Sequence, residues 1–598
     1  MSKKILALLV AAIMLFGVVG AMAEGDLPRN ETLFFGGQQW NPALGSNPLS
    51  ANNNNAMAIT GRASGSRTIM FETLYMYNML DGQLYPLLAE GPYEWNDDLT
   101  VMTVAIRPQA KWNDGTPVTA DDVVATWEAS KLCGNNTYTA KADYIESIEN
   151  VDGKVVIKCK LVDGKPANPL MVLDYLADTY VVQKAFLDTL IARNNNDPAA
   201  IMNDPAWDCP YSGPYGTYVM NDQMVSFIRN DDYWAKGITE EIFGEGAAEL
   251  PVPKYIAHML YSDNDAALTA LKAGQVDCTQ QFIANVQKLW EDDGLAVATY
   301  MDEAPYGICA TMPTAWYNME VPVLQVKEVR KAIAMAVDYV SIIENAMTNQ
   351  SPTFTQVPRS LFNPTDGEQA MYDHDAVKDL QWAGSDIEGA KALLDSAGIV
   401  DSDGDGWREF EGKKISLNAC CPNGWSDWQA AMEIVASAGK DIGIEISTYY
   451  PTWDQYQTIF TKASQTELEI FMYSPAGAQP SSPWGRLRAL MSSDFLGVDG
   501  NWNGNWGHYK NDRVDEIIKE IPLTTDAAKL KELYTEATKI YLEEVPSFSL
   551  MYRPGQFHAV NETVWTGFPE KDDGHNIPPT DLTDGYGIAA LYFLENVQ

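Results

Sequence analysis

Three aspartates at alternate positions, Asp401, Asp403 and Asp405, form a pattern that is typical of a metal site. Carboxylates spaced in this way converge on one hard cation, and a glycine at the sixth position allows the sharp turn of a calcium-binding loop. Glu409 at the ninth position completes a set of four candidate ligands. The twelfth position is Gly412, where an EF-hand loop has a bidentate glutamate. The loop is therefore either a structural calcium site or a polar connector between two elements.

Tryptophans that stand beside glycine and asparagine form a second group, and the chemistry they suit is the binding of sugar rings. The apolar face of a sugar packs flat on an indole, while nearby polar side chains bond to its hydroxyl groups. Trp425 is the first choice, because it stands in the run 422–428, PNGWSDW. Trp453 and Trp502 have similar settings. The alternative is that these rings only fill the core or the surface. The predicted ligand-binding residues are Trp40, Asn41, Asn423, Trp425, Trp428, Tyr473, Trp484 and Trp506.

Motifs of covalent catalysis are missing from the sequence. It contains no G-x-S-x-G, no Walker A sequence and no H-E-x-x-H, and none of its five histidines is paired at ligand spacing. No cofactor is required by anything in the sequence. Glycosidases carry no short motif, and 81 carboxylates leave room for an acid/base pair. A non-enzymatic binding protein is the main hypothesis, with a secreted glycosidase as a distant alternative.

The charge balance excludes two classes of partner. The chain has 81 acidic and 41 basic residues and a net charge of −40. Nucleic acids and anionic membrane surfaces both demand positive charge on the protein, so neither is expected to bind. Seven cysteines occur without metal-like spacing. The odd number leaves at least one free thiol, and one disulfide is compatible with an exported protein.

Residues 1–23 have the pattern of a signal peptide. Lys3 and Lys4 precede an apolar run over 5–19, and Ala21 and Ala23 fit the small-residue rule for cleavage. The apolar run is too short for a membrane anchor. No cysteine follows it within the first 30 residues, so we expect a mature protein without lipid in the periplasm or outside the cell.

Residues 103–131, TVAIRPQAKWNDGTPVTADDVVATWEASK, predict a strand, a turn and a helix. The strand alternates polar and apolar residues, and Asp114-Gly115 suits the tip of a turn. Thr119 predicts a helix N-cap, with Asp122 three residues later as an acidic variant of the capping box. Further on, apolar spacings of three and four over 326–347 predict one amphipathic helix. Strand-helix-strand patterning over 415–448 predicts a βαβ unit.

The run over 103–131 resembles the motif of the peptide/nickel/oligosaccharide-binding family of ABC-importer solute-binding proteins. Residues 71–88 resemble the family's helix, turn and extended stretch, and 212–215 followed by 225–234 resemble "GTGPY…V.L.RNxxYW". Residues 265–277 and 326–338 resemble two further family motifs. The resemblance covers nearly the whole chain after residue 23.

This resemblance implies an α/β, two-lobed binding protein of type II-like topology, with two extended crossings as a hinge. We expect lobe I over 24–68, 208–306 and 549–598, an additional subdomain of lobe I over 69–207, and lobe II over 307–548. The crossings are expected near 305–315 and 545–555. The family's proteins enclose a ligand between the lobes and dock on the transmembrane subunits of a permease. A monomer is expected.

The ligand that we expect is an oligosaccharide, most readily a β-linked gluco-, xylo- or manno-oligosaccharide. Peptide-binding members of the family hold the ligand's ammonium group with an aspartate after a second-lobe strand. The corresponding residues here, 471–484, contain no carboxylate. A buried ammonium without a counter-charge would cost several kcal/mol. Asp427 or Asp454 could substitute from another loop, so an oligopeptide or dipeptide ligand stays the alternative.

Overall fold

A computed structural model describes residues 27–37, 45–50, 68–221, 224–261, 263–279, 281–475, 477, 479–554, 558–578 and 585–597. Within them, no helix combines the length and the apolar character needed to cross a bilayer. The expected signal peptide lies outside the described residues.

The strands are β1 (Thr32–Gly37), β2 (Tyr75–Asn78), β3 (Gln83–Pro86), β4 (Glu94–Trp95), β5 (Val101–Ala105), β6 (Ile145–Val151), β7 (Lys154–Cys159), β8 (Leu161–Val162), β9 (Lys165–Pro166), β10 (Tyr215–Met220), β11 (Met224–Arg229), β12 (Tyr255–Leu260), β13 (Cys278–Thr279), β14 (Val297–Thr299), β15 (Cys309–Thr311), β16 (Thr314–Tyr317), β17 (Glu409–Phe410), β18 (Lys413–Lys414), β19 (Ser416–Cys420), β20 (Glu445–Tyr449), β21 (Ile470–Tyr473), β22 (Ser547–Ser549), β23 (Arg553–Pro554), β24 (Ala559–Asn561), β25 (Trp565–Thr566) and β26 (Glu595–Asn596).

The helices of the described residues lie mainly on the outside of the sheets. They are α1 (Ala120–Cys133), α2 (Asn136–Thr139), α3 (Leu170–Asp178), α4 (Lys184–Arg193), α5 (Pro198–Asn203), α6 (Thr239–Phe243), α7 (Asn264–Lys272), α8 (Lys288–Glu291), α9 (Lys327–Ala336), α10 (Tyr339–Ser341), α11 (Asp366–Gln369), α12 (Ile387–Ser396), α13 (Ser426–Asp441), α14 (Trp453–Phe460), α15 (Trp484–Met491), α16 (Asp512–Glu520) and α17 (Ala527–Glu544).

The first lobe is built on a seven-stranded sheet of order β10-β11-β12-β1-β13-β24-β14. β1 runs parallel to both β12 and β13, and β24 returns from the far end of the chain to pair antiparallel with β13 and β14. A four-stranded sheet of order β4-β5-β7-β6 belongs to the same lobe. One buried apolar core underlies both sheets.

The strand, turn and helix predicted from 103–131 are present as β5 and α1. The Asp122 carboxylate accepts hydrogen bonds from the backbone N–H and the hydroxyl of Thr119, at 2.8 and 3.0 Å, as the capping box requires. Trp127 is buried between Tyr138 and Tyr175, with ring centroids 5.0 and 5.8 Å away. This helix therefore fastens the additional strands of the first lobe to α3.

The helix predicted at the start of 71–88 is wrong, because the chain forms the β2–β3 hairpin there. Tyr75 pairs with Pro86 and Asn78 with Gln83. Gly82 has a φ of 72°, which closes the turn. The turn itself lies where the sequence predicted it.

The second lobe is built on a five-stranded sheet of order β20-β19-β21-β16-β22. β19 and β20 are parallel neighbours joined by α13, which confirms the predicted βαβ unit. A separate buried apolar core holds this lobe together. The two-lobed α/β fold expected from the sequence is confirmed.

The single helix predicted over 326–347 is broken into three pieces. α9 ends at Ala336, Val337 is extended with ψ 133°, and the Asp338 carboxylate caps the next short turn through the backbone N–H of Ser341. A π-helix, Ile342–Ala346, follows. The apolar spacing continues across the break, so periodicity alone could not reveal it.

Two short strands join the lobes. β15 and β23 pair antiparallel, with Cys309 opposite Pro554 and Thr311 opposite Arg553. The stretch 545–555 predicted as the second crossing contains β23, while its earlier part, β22, is an edge strand of the second lobe's sheet. All seven cysteines are buried and none is in a disulfide, so the disulfide that the sequence allowed is not formed.

Candidate ligand-binding cleft

A cavity of about 530 Å³ lies between the two lobes. This volume is within the range of small-molecule sites. The first lobe lines it with residues of α1, α2 and α3 and with the loop after α3, and the second lobe lines it with residues that follow β21 and with α15. Any solute held there would touch both lobes, which is the geometry that couples binding to closure.

Aromatic rings from the second lobe form one wall of the cavity. They are Tyr473, Trp484, Trp502 and Trp506. The rings of Tyr473 and Trp506 meet edge to face, with centroids 4.7 Å apart. The indole N–H groups of Trp484 and Trp506 donate to the backbone carbonyls of Ile518 and Asn501, at 2.7 and 2.9 Å. Their polar atoms are thus occupied, and what they offer a ligand is apolar ring surface.

Trp502 is the most open ring of this wall. Its side chain is 44% exposed, whereas Trp484 and Trp506 are each 3% exposed. Trp502 packs edge to face on Phe460 at 5.3 Å and lies 6.2 Å from the ring of Trp453. The exposed side of this indole is therefore the largest apolar surface in the wall that a ligand could cover. The sequence placed Trp502 in a suitable setting but did not rank it among the binding residues.

Three predicted residues lie behind the wall. Trp425 stacks on Trp453 at 5.3 Å with an interplanar angle of 20°, and Trp453 stacks in turn on Tyr473 at 6.3 Å. Trp428 is buried against Trp425, and its indole N–H has no hydrogen-bond partner among the described residues. Asn423 is exposed, and its backbone N–H donates to Pro451.

The structure therefore brings three of the predicted residues, Tyr473, Trp484 and Trp506, onto the cavity. Trp425 contacts the wall through the ring of Trp453, and Trp428 meets Tyr473 edge to face at 6.5 Å; neither is among the lining residues that the structure describes. Trp40 and Asn41 lie outside the described residues. The binding role of all eight stays a prediction.

The charged residues that line the cavity are two acids of α3, a lysine before β6 and an arginine of α15. Lys141 Nζ lies 2.8 Å from Asp178 Oδ2. Asp174 accepts hydrogen bonds from the backbone N–H and the hydroxyl of Ser481, at 2.8 and 2.6 Å, and so joins the first lobe to the second. Burial, with the charge of Asp178 adding to it, raises the pKa of Asp174 to about 6.

Arg488 differs from the other charged groups in having an unused donor. Its Nε is buried and has no hydrogen-bond partner among the described residues, while the Asp494 carboxylate oxygen lies 4.0 Å away. The guanidinium lies over Phe495 at 4.6 Å and over Trp484 at 5.6 Å. It can donate a hydrogen bond to a ligand oxygen that enters the cavity.

The residues after β21 hold no carboxylate, as the sequence showed, but carboxylates approach them from elsewhere. Asp174 comes from the other lobe, and Glu368 forms a two-pronged ion pair with Arg486, at 2.6 and 3.2 Å. Asp427 is buried beside the hinge, 3.6 Å from Arg553. Asp454 is exposed on the first turn of α14. Neither of the two proposed substitutes is among the described residues that line the cavity.

A second cavity, of about 600 Å³, lies on the other side of the same segment. Gln479 and Ser481 face the first cavity, whereas Pro480 and Ser482 face the second. The first lobe contributes the β2–β3 hairpin, including Tyr77, and the second lobe contributes residues 352–371. The lobes thus touch at Ser481, between the two cavities.

The four carboxylates of the predicted calcium loop do come together. One oxygen from each of Asp401, Asp403, Asp405 and Glu409 can be chosen so that all lie within 4.8 Å of one another. Backbone N–H groups of the loop donate to them, for example from Gly406 to Asp401 at 2.9 Å. The group is exposed and forms no part of the cavity. The arrangement suits a hard cation such as calcium, and it equally suits a loop held by its own hydrogen bonds.

Comparison with known proteins places the fold and the cleft in context. Residues 83–495 match the family described as bacterial extracellular solute-binding proteins, family 5 Middle. The periplasmic oligopeptide-binding protein OppA of Salmonella typhimurium is 25% identical over 495 residues, covering 78% of this chain and 79% of its own. Oligopeptide-binding protein AppA of Bacillus subtilis is 22% identical over 490 residues, with 80% and 79% covered.

Solved structures show the same architecture. The periplasmic oligopeptide-binding protein of an oligopeptide ABC transporter from Thermotoga maritima, crystallised with mannohexaose, superposes with a TM-score of 0.81 at 25% identity. The match covers 96% of this chain and all of that one. AppA of Bacillus subtilis in complex with a nonapeptide gives a TM-score of 0.70 at 19% identity over 95% and 99% of the two chains, which shows the fold.

The family match spans more than half of the sequence, and the relatives named here are solute-binding proteins and not enzymes. The family indicated by residues 71–131 is therefore confirmed, while the oligosaccharide branch is not decided by these matches. The chain belongs to family 5 of the bacterial extracellular solute-binding proteins, which serve as the substrate-binding components of ABC importers.

Proposed function

We propose that this protein captures an oligosaccharide between its lobes and delivers it to the transmembrane subunits of an ABC permease. The observation that carries this proposal is the wall of Tyr473, Trp484, Trp502 and Trp506 in a cavity whose other polar lining groups are mostly neutral hydroxyl and amide side chains. Rings of this kind cover the apolar faces of sugars, and the hydroxyl and amide groups meet their oxygens.

The charges of the cavity argue in the same direction. Asp178 is paired with Lys141, and Asp174 is occupied by two donors of Ser481. A peptide's ammonium group would have to share one of these carboxylates with the donor that the carboxylate already binds, which weakens the existing contact. A neutral sugar leaves these carboxylates with their present partners. The free Nε of Arg488 can donate a hydrogen bond to the sugar's hydroxyl oxygens.

Relatives support two ligands. The Thermotoga maritima protein, crystallised with mannohexaose, supports a manno-oligosaccharide among the β-linked gluco-, xylo- and manno-oligosaccharides that we propose. The names of OppA and AppA support an oligopeptide, and this is the second candidate. A secreted glycosidase gains no support from the matched proteins named above.

Calorimetry separates the two candidates. We expect di- to hexasaccharides of the gluco, xylo and manno series to bind, with the strongest near micromolar, about −8 kcal/mol. A pool of short peptides serves as the competing titrant. If peptides bind with a micromolar Kd and no sugar gives a binding heat, the ligand is a peptide and the proposed assignment is wrong.

We also propose where the protein is located, where its lobes begin and end, and that it is a monomer. We propose export through residues 1–23, with a mature, unlipidated monomer that begins at Glu24 in the periplasm or outside the cell. The lobe boundaries proposed are those given in the sequence analysis. N-terminal sequencing of protein from the native cell tests export, and an intact Met1 or an acylated cysteine would contradict it. Light scattering tests the monomer.

A further inference from the structure

Helix α3 of the first lobe contacts both lobes. Val172, Tyr175 and Leu176 pack into the first lobe's core, while other residues of the helix reach the second lobe. Leu170 and Met171, at its start, pack into the apolar core of the second lobe, and Met171 is buried there. One turn later, Asp174 meets Ser481, a residue 307 positions further along the chain. Helix α3 thus makes both an apolar and a polar contact with the second lobe.

The polar contact is buried on both sides. Asp174 is 5% exposed and Ser481 is 1% exposed. Ser481 donates both its backbone N–H and its hydroxyl, so the carboxylate is bound at both oxygens. Rotation of the lobes about the hinge strands β15 and β23 would separate these groups and return the carboxylate to water. The contact therefore exists only in the closed arrangement of the lobes.

The segment that carries Ser481 is held rigidly from behind. Arg486 is fully buried, and its two-pronged ion pair with Glu368 is supplemented by a hydrogen bond from its guanidinium to the Leu361 carbonyl at 3.2 Å. A fixed donor pair presented to a carboxylate of the other lobe loses little freedom on closing. Because so little freedom is lost, two hydrogen bonds are enough for this contact to stabilise the closed lobes.

We propose that Asp174 and Ser481 form a latch that stabilises the closed lobes through protein–protein hydrogen bonds, so that the affinity for the transported solute depends on it. This inference extends the proposed function and holds for any solute bound in the cleft. It differs from a ligand contact because it acts on the population of the closed state before a ligand arrives.

The latch is expected to strengthen as the pH falls. Burial raises the pKa of Asp174 to about 6 in the closed form, against an ordinary value near 3.8, so closing takes up a proton. The groups that face Asp174 are Asp178 on its own helix, Lys141 and the phenol of Tyr77, with the Glu368–Arg486 pair beyond Ser481. A protonated Asp174 can still accept from the Ser481 N–H and donate to its hydroxyl oxygen. The stabilisation is therefore complete below about pH 4 and declines as the pH rises through about 6.

The test measures the distance between the lobes in the absence of ligand. The native thiols are all buried, so cysteines introduced at the exposed positions Lys131 and Val498 can be labelled with a fluorescent donor and acceptor. In the wild-type background we expect the closed fraction to rise between pH 7.5 and pH 5. Asp174→Asn keeps both hydrogen bonds without a charge and should be equally closed at both pH values. Asp174→Ala should be more open than wild type at pH 5.

The control is Asp188→Asn, an exposed carboxylate of the first lobe that pairs with Lys184, and it should follow the wild type. Equal closed fractions for wild type and Asp174→Ala at pH 5 would overturn the latch. Calorimetry at pH 5 gives an independent measure, since a tenfold loss of closed fraction weakens the apparent affinity about tenfold. If no sugar binds the wild type, the proposed ligand fails, while the ligand-free distances still decide the latch.

Discussion

Replacement of Trp502 by alanine is the most direct test of the aromatic wall. A tryptophan side chain presents up to roughly 250 Å² of surface. The 44% of Trp502 that stays exposed is therefore about 110 Å². A flat ligand covers one face of the indole, about half of that area, and at 25 cal/mol per Å² this contributes about 1.4 kcal/mol. We expect Trp502→Ala to weaken binding of the best oligosaccharide by about tenfold.

The matched control is Trp207→Ala. Trp207 is 51% exposed, similar to Trp502, but it lies in the first lobe and does not line the cavity. Titration calorimetry of both variants against the same sugar, with circular dichroism to check folding, separates ligand contact from a general loss of apolar surface. Equal affinity for wild type and Trp502→Ala, or an equal loss in both variants, would refute the reasoning.

Three further predictions follow from other parts of the chain. Chelator should lower the melting temperature if the carboxylates of 401–409 hold calcium, and Asp403→Ala should abolish that sensitivity; an unchanged melting curve in chelator leaves a polar loop. Asp122→Ala removes three hydrogen bonds, to Thr119 and to the Lys184 N–H, and should lower the free energy of unfolding by roughly 1–3 kcal/mol in urea, while Asp121→Ala should change it little. Trp425→Ala should weaken ligand binding less than Trp502→Ala does, without unfolding the protein, because its ring supports Trp453 and does not line the cavity; normal binding by calorimetry would show that its ring is only packing.

The parts of the fold that local patterns specify were predictable from the sequence. Thr119 and Asp122 identify the start of α1 because a capping box involves residues only three apart. The βαβ unit around α13 was equally evident, since a parallel pair of strands needs a crossover helix. In each case, the interaction that decides the structure lies within the element or beside it.

The β2–β3 hairpin was missed because its pattern fits two structures. Phe71, Leu74, Tyr75 and Asn78 are spaced as on one face of a helix, and the same residues contain the alternation of a short strand. The choice is made by distant partners. Tyr75 is buried in the first lobe's core, and the Asn78 amide donates to the Asn576 carbonyl, 498 residues away. A short stretch of sequence does not reveal contacts with residues so far along the chain.

The same limit applies to the cleft. Its second-lobe half was partly foreseen, because rings beside glycine and asparagine are unusual enough to notice. The first-lobe half was not, since Lys141 and Asp174 have no special spacing in the sequence. They became candidates only when the fold placed them on the same cavity as Ser481. Arg488 was hidden for the same reason, within an ordinary amphipathic helix.

The charge of the whole chain and the charge of the cleft carry different information about the ligand. A net charge of −40 would by itself favour a cationic solute. Yet the described residues that line the cavity hold two carboxylates and two cations, and the carboxylates are occupied by Lys141 and Ser481. A cationic ligand would have to share one of these carboxylates with its present donor, and sharing weakens the existing contact. The excess negative charge therefore belongs to the solvated surface, and within the balanced cavity a neutral, ring-shaped solute is the ligand that leaves every existing pair intact.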